Sequence, residues 1–276
     1  MIGVFDSGIG GLSVYKELMI LLPHETCYYL ADQIHVPYGP RSQEQIREFS
    51  EKITRFLINQ GVNIVVIACN TISAAALYYL RRQFPDIIFV GMEPAVKPSI
   101  EKTRSGIIGV IATQATFQGR PYEKLIEKYA RNVKVVHQSC PGLVEQVEEG
   151  NIDTPEIRFL LKQYLTPMIE KRVDQLVLGC THYHFLKSVI QEIIGENVSI
   201  IDPTHPVAKQ AVSVLNRYRN EKRLTEQKEQ TGQKKHQFFT SSNINVFTTQ
   251  ISRFLPTIGK NFEVREVNWN NRGIVE

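Results

Sequence analysis

Two stretches of the chain share one local pattern, and this pattern constrains the fold more than any other feature. Residues 64–71 read IVVIACNT and residues 176–182 read LVLGCTH. In each stretch an apolar run is followed by a small residue, a cysteine and then polar residues. A short apolar run of this kind is typical of a strand buried on both faces, and the residues after it predict a tight exit into a helix. Each cysteine would then lie at the carboxyl end of a strand, where open α/β sheets bind ligands.

The rest of the chain alternates short apolar runs with segments of helical periodicity. Residues 2–5 predict a strand, residues 6–11 a glycine-rich turn, and residues 12–22 an amphipathic helix. Ser42 and Gln45 resemble a capping box at the start of a second helix. Strands that alternate with helices indicate βαβ units and a parallel sheet, so the predicted fold class is α/β.

Landmarks of the first half recur in the same order in the second half, which favours a duplicated α/β domain. The pairs include Pro37-Tyr38-Gly39 with Cys140-Pro141-Gly142, and Glu93-Pro94 with Asp202-Pro203. We predict a first domain from residues 1–97 and 208–276, and a second from residues 98–207. The active site would lie in the cleft between these two pseudo-symmetric parallel-sheet domains. A single sheet with coincidental internal similarity is the alternative.

The last part of the chain lacks those landmarks. Residues 216–236 are polar and charged, and they predict an exposed helix end followed by a mobile loop. A helix is expected near residues 117–130, and another near residues 245–255. Residues 237–240 and 262–267 predict two strands that pair with the sheet of the first domain.

Composition limits the class of protein. The 276 residues have a net charge of +4, so no nucleic-acid or membrane partner is indicated. The four cysteines form no CxxC pair or zinc spacing, and no signal peptide or membrane span is evident. We therefore expect a reducing, cytoplasmic setting.

Cys69 and Cys180 differ from the other two cysteines because polar residues follow them at once. Cys27 and Cys140 are predicted to be small buried hydrophobes. A helix N-terminus is expected to lower the pKa of the Cys69 and Cys180 thiols. Two thiols at equivalent sites of a duplicated structure would face each other across the cleft. They could form a disulfide, bind a metal pair, act as one nucleophile with a bystander, or transfer protons on opposite faces of a substrate.

The turn that follows the first strand, Asp6-Ser7-Gly8-Ile9-Gly10-Gly11, lacks the features of a phosphate loop. Its backbone N–H groups could still hold a carboxylate. Asp6 is interpreted either as a helix N-cap or as a group that assists proton transfer or holds an ammonium. His182 could relay protons to the Cys180 thiol, or it could be a surface or capping histidine. His184 and His205 are assigned no role.

Several blocks together resemble the glutamate racemases of the aspartate/glutamate racemase family. They cover nearly the whole chain in the expected order: residues 5–12 (FDSGIGGL), Pro37-Tyr38-Gly39, Ala68-Cys69-Asn70-Thr71, Glu93-Pro94-Ala95 and residues 178–183 (LGCTHY). The charged segment 216–236 is the part that matches poorly.

The resemblance implies an isomerase that interconverts L- and D-glutamate without a cofactor or metal and supplies D-glutamate for peptidoglycan, and hence for the cell wall and cell shape. It implies Cys69 and Cys180 as the acid/base pair, with Asp6 assisting Cys69 and His182 assisting Cys180. Glu148 or Glu149 is expected near the cleft. The implied partner is the small-molecule substrate, with neither nucleic acid nor membrane, and a homodimer is compatible with it. The implied substrate contacts are Asp6, Ser7, Tyr38, Gly39, Asn70, Thr71, Thr181 and His182, with Thr113 and Thr116 at the matching exit of the second repeat.

The chemistry of the residues agrees with this reading. Inverting a carbon requires a proton to leave one face and another to arrive on the opposite face, so two bases suit the reaction better than one. Hydrogen-bond donors at the carboxyl ends of the strands would stabilise the negative charge of the carbanion. The alternatives are an aspartate or hydantoin racemase of the same fold, and a two-lobed small-molecule binding protein without turnover.

Overall fold

The computed structural model describes residues 1–222, 236–271 and 273–276. Strands and helices alternate in it, as predicted. The strands are β1 Ile2–Asp6, β2 Cys27–Ala31, β3 Ile64–Ile67, β4 Ile88–Gly91, β5 Ile107–Ala112, β6 Lys134–Ser139, β7 Gln175–Gly179, β8 Ser199–Ile201, β9 His236–Thr240, β10 Phe262–Glu266, β11 Asn268–Asn270 and β12 Gly273–Val275. The helices are α1 Leu12–Leu21, α2 Gln43–Asn59, α3 Asn70–Gln83, α4 Val96–Lys102, α5 Gln114–Phe117, α6 Arg120–Tyr129, α7 Leu143–Glu148, α8 Pro155–Glu170, α9 Lys187–Ile194, α10 Thr204–Glu221 and α11 Ile244–Phe254, with 3₁₀ turns at Thr181–Leu186 and Pro256–Ile258.

The first sheet has six parallel strands in the order β10-β9-β2-β1-β3-β4. Its central strands β1 and β3 are fully buried, which explains their continuous apolar sequences. Strands β9 and β10 join this sheet through the pairing of β9 with β2. The prediction that the late strands pair with the first sheet is therefore confirmed.

The second sheet has four parallel strands in the order β6-β5-β7-β8. If the strands of this second repeat are counted along the chain from β5, they lie side by side in the order second, first, third, fourth. The first repeat has the same order, β2-β1-β3-β4. The predicted pair of parallel-sheet α/β units is confirmed, and the carboxyl ends of β3 and β7 each precede one of the two singled-out cysteines.

The structure corrects several predicted boundaries. The helix expected over residues 117–130 is two helices, α5 and α6, because the chain turns at Gly119 and α6 starts with a proline in its first turn. The short helices α4 and α7 and the antiparallel hairpin β11–β12 were not predicted from the sequence. The capping box at Ser42 is confirmed, since both of its reciprocal hydrogen bonds are present.

Helices link the two units through a shared apolar cluster. Helix α1 packs against α10, and buried residues of both belong to one apolar cluster that also includes side chains of the second sheet. The predicted exposed helix end is the last part of α10, which finishes at Glu221. The loop predicted after it falls on residues 223–235, outside the described residues. No helix among the described residues has the length and apolar character needed to cross a membrane.

Candidate active site

Cys69 and Cys180 have equivalent backbone positions in the two units. Each follows a parallel strand and directly precedes a helix, with φ/ψ of −141°/124° at Cys69 and −146°/134° at Cys180. Both side chains are buried, with exposed fractions of 5% and 6%. The charge of Cys180 also helps to raise the pKa of Cys69. Cys27 and Cys140 are buried, as predicted.

The expectation of a lowered thiol pKa is wrong for Cys69. Burial raises the pKa of Cys69 well above its usual value, and the negative charge of Asp6 raises it further. The backbone N–H of Ile72 at the helix start acts in the opposite direction, but it is the weaker influence. Desolvation therefore outweighs the helix N-terminus and favours the protonated form of the Cys69 thiol.

Asp6 is fully buried and lies at the end of β1, beside Cys69. Ser7 donates to Asp6 Oδ1 through its backbone N–H at 2.6 Å and its hydroxyl at 3.1 Å. Thr181, from the second unit, donates its hydroxyl to Oδ2 at 3.0 Å. Burial raises the pKa of Asp6, although the charge of His182 opposes this rise. Asp6 does not cap α1, whose N-cap is Gly11 without a side-chain bond. Asp6 is thus a carboxyl group shared between the two units.

Cys180 has a different partner from Cys69. Nδ1 of His182 lies 3.9 Å from Sγ of Cys180, and its Nε2 lies 2.6 Å from Oε1 of Glu148. Burial alone would lower the pKa of His182, but the hydrogen bonds to Cys180 and Glu148 raise the pKa well above its usual value. His182 is 2% exposed, so it is neither a surface histidine nor free of partners. The imidazolium is placed to hold or move a proton at the Cys180 sulfur.

Glu148 is the acidic residue that reaches the cleft. Its carboxylate accepts from the Ile9 backbone N–H at 2.7 Å and from the Gln33 amide at 3.0 Å, besides contacting His182. Glu149 instead accepts hydrogen bonds from the side-chain amides of Gln146 and Asn151. Helix α7, which carries Glu148, could have been found from the sequence, because Leu143, Val144 and Val147 are all buried on one helical face.

Three threonines from the two units form a closed set of hydroxyl contacts. Thr71 lies 2.8 Å from Thr113 and 3.3 Å from Thr116, and those two are 2.9 Å apart. Helix α3 begins at Asn70, so Asn70 and Thr71 are in its first turn. Neither amide atom of Asn70 has a partner among the described residues, although the side chain is 2% exposed. An unpaired buried amide is costly, and a polar ligand would satisfy it.

Tyr38 and Gly39 approach this threonine set from the first unit. The Tyr38 hydroxyl donates to Asp32 at 2.6 Å, and the ring is buried. A side chain built on Gly39 would place its Cβ 3.2 Å from Cβ of Thr113. The structure thus brings together the predicted site residues: Asp6, Ser7, Tyr38, Gly39, Cys69, Asn70, Thr71, Thr113, Thr116, Cys180, Thr181 and His182.

The arrangement suits proton transfer better than the other uses of two thiols. Cys69 and Cys180 are free thiols. Across residues 1–222, 236–271 and 273–276, no group of three or more His, Cys, Asp or Glu side chains could hold a metal. Each thiol has its own titratable neighbour, a carboxyl group on one side and an imidazole on the other. Such neighbours are what paired acid/base groups need.

Gly8 leaves room for Glu148, and this gives a first prediction. A Cβ at Gly8 would lie 1.8 Å from Oε1 of Glu148, so Gly8→Ala must displace the carboxylate from Ile9 and His182. We expect the catalytic rate to fall by roughly tenfold, because a small misplacement of supporting groups is costly. Steady-state kinetics measure the fall. Shortening the acid in the Gly8→Ala/Glu148→Asp double variant should restore part of the rate, and full activity of Gly8→Ala alone would contradict the steric argument.

Comparisons with known proteins agree with this geometry. Residues 2–211 match the Asp/Glu/Hydantoin racemase family, and the chain belongs to that family. A glutamate racemase of Herpetosiphon aurantiacus is 48% identical over 214 residues, which cover 78% of this chain and 84% of the relative.

Solved structures of glutamate racemases are similar over nearly their full length. The Bacillus anthracis isoform RacE1 is 34% identical with a TM-score of 0.81, covering 99% of this chain and 98% of the other. The Francisella tularensis enzyme, solved in complex with D-glutamate, is 33% identical with a TM-score of 0.79 and covers 96% of each chain.

Proposed function

We propose that the chain is an amino-acid racemase that interconverts L- and D-glutamate by proton transfer between two thiols. The observation that carries this proposal is the equivalent placement of Cys69 and Cys180, each buried and each beside its own titratable group. The relatives named above are glutamate racemases, and one of them was solved with D-glutamate bound. Both facts favour glutamate as the substrate.

In the proposed reaction one cysteine acts as thiolate and the other as thiol. The thiolate takes the proton from Cα, and the electron pair of the C–H bond stays on the substrate as a carbanion. The opposite thiol then gives its proton to the other face of Cα, which inverts the centre. The roles of Cys69 and Cys180 exchange in the reverse direction. Asp6 accepts or returns the proton of Cys69, and His182, held by Glu148, does the same for Cys180.

Polar groups around the thiols would hold the substrate. The buried amide of Asn70 offers both a donor and an acceptor, and the hydroxyls of Thr71, Thr113 and Thr116 surround one position at the start of α3. The remaining residues proposed to surround the substrate are Ser7, Thr181 and the Tyr38–Gly39 segment. A dry, donor-rich pocket stabilises the developing charge at the carboxylate of the carbanion.

The wider expectations follow from this assignment. The reaction as written needs no cofactor, because each proton goes from carbon to sulfur or the reverse. Its product would supply D-glutamate for peptidoglycan, and hence for cell-wall biogenesis and cell shape. Both thiols must stay reduced, which favours the cytoplasm. Glutamate is the proposed partner; neither nucleic acid nor membrane is proposed, and a homodimer is a candidate assembly.

We also propose that the chain works as two domains, residues 1–97 with 208–276 and residues 98–207. The hydrogen bond from Thr181 of one unit to Asp6 of the other supports a site between these two domains. The second proposed boundary falls within α10. Substrate would enter as the two domains separate and be enclosed as they return.

The direct test is incubation with L-glutamate in deuterated water. We expect D-glutamate labelled at Cα, because the delivering thiol exchanges its proton with solvent before it protonates the carbanion. Chiral chromatography with mass spectrometry measures both inversion and label. A folded protein that produces no labelled D-glutamate contradicts the proposal. Faster exchange of aspartate or a hydantoin would assign the chain to another branch of the family, and binding without exchange would indicate a two-lobed binding protein.

A further inference from the structure

A buried carboxylate outside the thiol pair organises the loop that follows β2. Asp32 is fully buried, and it contacts four side chains through its two oxygens. The contacts are the Tyr38 hydroxyl at 2.6 Å, His35 Nδ1 at 2.8 Å, the Ser241 hydroxyl at 2.9 Å and the Trp269 indole N–H at 2.9 Å. Tyr38 and His35 belong to the loop itself. Ser241 and Trp269 come from the last part of the chain.

Trp269 belongs to the hairpin β11–β12, which packs against α2 through β12. Its indole makes a T-shaped contact with His35, with ring centroids 4.6 Å apart, and another with Phe49 at 5.4 Å. The ammonium of Lys52 lies over the indole, 5.8 Å from the ring centroid. The hairpin is therefore fixed to the loop on one side and to α2 on the other.

This loop carries the Tyr38–Gly39 segment of the site. Gly39 packs closely on Thr113, so a small displacement of the loop would move one wall of the site relative to the threonine set. The loop is attached to the rest of its unit through Asp32. A carboxylate that accepts several hydrogen bonds in a buried site holds its donors strongly, since each bond is charge-assisted.

We propose that Trp269 and Asp32 are positioning residues that hold the Tyr38–Gly39 segment in the geometry that binds substrate. The inference rests on the proposed function, because it assumes that this segment contacts glutamate. Neither residue touches the reacting atoms. Their effect is therefore on substrate binding rather than on proton transfer between the thiols.

The test is Trp269→Phe, which removes the indole N–H and keeps an aromatic ring on His35 and Phe49. We expect the KM for glutamate to rise by roughly tenfold, as for the loss of a hydrogen bond to a charged group, while kcat changes by less than about twofold. A matched control is Lys52→Met, which changes the outer face of the same indole without touching Asp32. The control should keep the wild-type KM.

A second readout uses the fact that Trp269 is the only tryptophan of the chain. Asp32→Asn removes the negative charge beside the indole N–H, so the emission maximum of the folded protein should shift. Thermal unfolding followed by circular dichroism establishes that each variant is folded. An unshifted emission maximum shows that the pair does not form and overturns the inference.

Kinetic outcomes separate this inference from the proposed function. A wild-type protein that does not racemise glutamate contradicts the function itself. An active wild type with an unchanged KM in Trp269→Phe overturns the positioning role alone. An equal rise of KM in Lys52→Met also overturns it, since packing of the ring and not the hydrogen bond would then be responsible.

Discussion

Replacing Cys69 or Cys180 with serine is expected to lower racemisation of glutamate by at least about a thousandfold, a large effect even for acid/base groups. A hydroxyl is a far weaker acid than a thiol, so serine can neither take the Cα proton as an anion nor return it quickly. The loss should be similar for the two variants because every inversion uses both groups. The rate is measured from the change in circular dichroism of the glutamate solution as one enantiomer is converted to the other. Coupled enzymatic detection of D-glutamate gives the same rate.

The pattern of residual exchange makes this prediction sharper. A variant with one remaining thiol can remove and replace the Cα proton on one face only. Slow deuterium uptake without inversion should therefore be confined to one enantiomer in Cys69→Ser and to the other in Cys180→Ser. Cys27→Ala, a change at a buried position of β2, is the matched control and should keep the wild-type rate. If one of the two serine variants is fully active, the two-base mechanism is wrong.

Replacing Glu148 with glutamine should lower kcat by about tenfold to a hundredfold, in the range of weakened acid/base assistance. Glutamine has nearly the same shape but no charge, so His182 loses the anion that helps to raise its pKa. A smaller fraction of His182 is then protonated, so fewer molecules have a proton to supply to the Cys180 sulfur. Glu149→Gln changes the adjacent acid, whose hydrogen bonds go to Gln146 and Asn151, and it should leave kcat unchanged. Equal effects of the two changes would contradict the role of Glu148.

The same substitution gives a test of stability against pH. The pKa of His182 is higher in the folded protein than in the unfolded chain, so the protonated histidine stabilises the fold. That contribution is complete below the unfolded value of about 6.5 and is lost as pH rises through the raised folded value. The difference in unfolding free energy between wild type and Glu148→Gln should therefore narrow as pH rises. Denaturant unfolding at several pH values measures it, and a gap that widens would contradict the assignment.

Local patterns were enough to predict the units of the fold and the two thiols. Strand and helix periodicity are properties of neighbouring residues, so the exits after β3 and β7 were evident, and so was the capping of α2. The recurrence of landmarks predicted two similar sheets, and the shared strand order confirms them. The pairing of β9 with the first sheet also followed, because those strands lack the landmarks of the second repeat.

The parts that were missed or left open depend on distant contacts. Glu148 and Glu149 are equivalent in local sequence, and only the packing of α7 against the glycine turn selects Glu148. The pKa of Cys69 was predicted with the wrong sign because burial and the charge of Asp6 are tertiary effects. The contact of Trp269 with Asp32 joins residues far apart in the chain, and no local pattern marks it.

The two halves have the same strand order but different groups beside their thiols, a carboxyl group next to Cys69 and an imidazole next to Cys180. In the proposed mechanism, mirror-image substrates are therefore processed through unlike proton donors. The equilibrium constant between enantiomers is one, so kcat/KM must nevertheless be equal in the two directions. Any preference that the asymmetry creates must appear as a proportional change of kcat and KM together. A faster turnover of one enantiomer is therefore always accompanied by its weaker apparent binding.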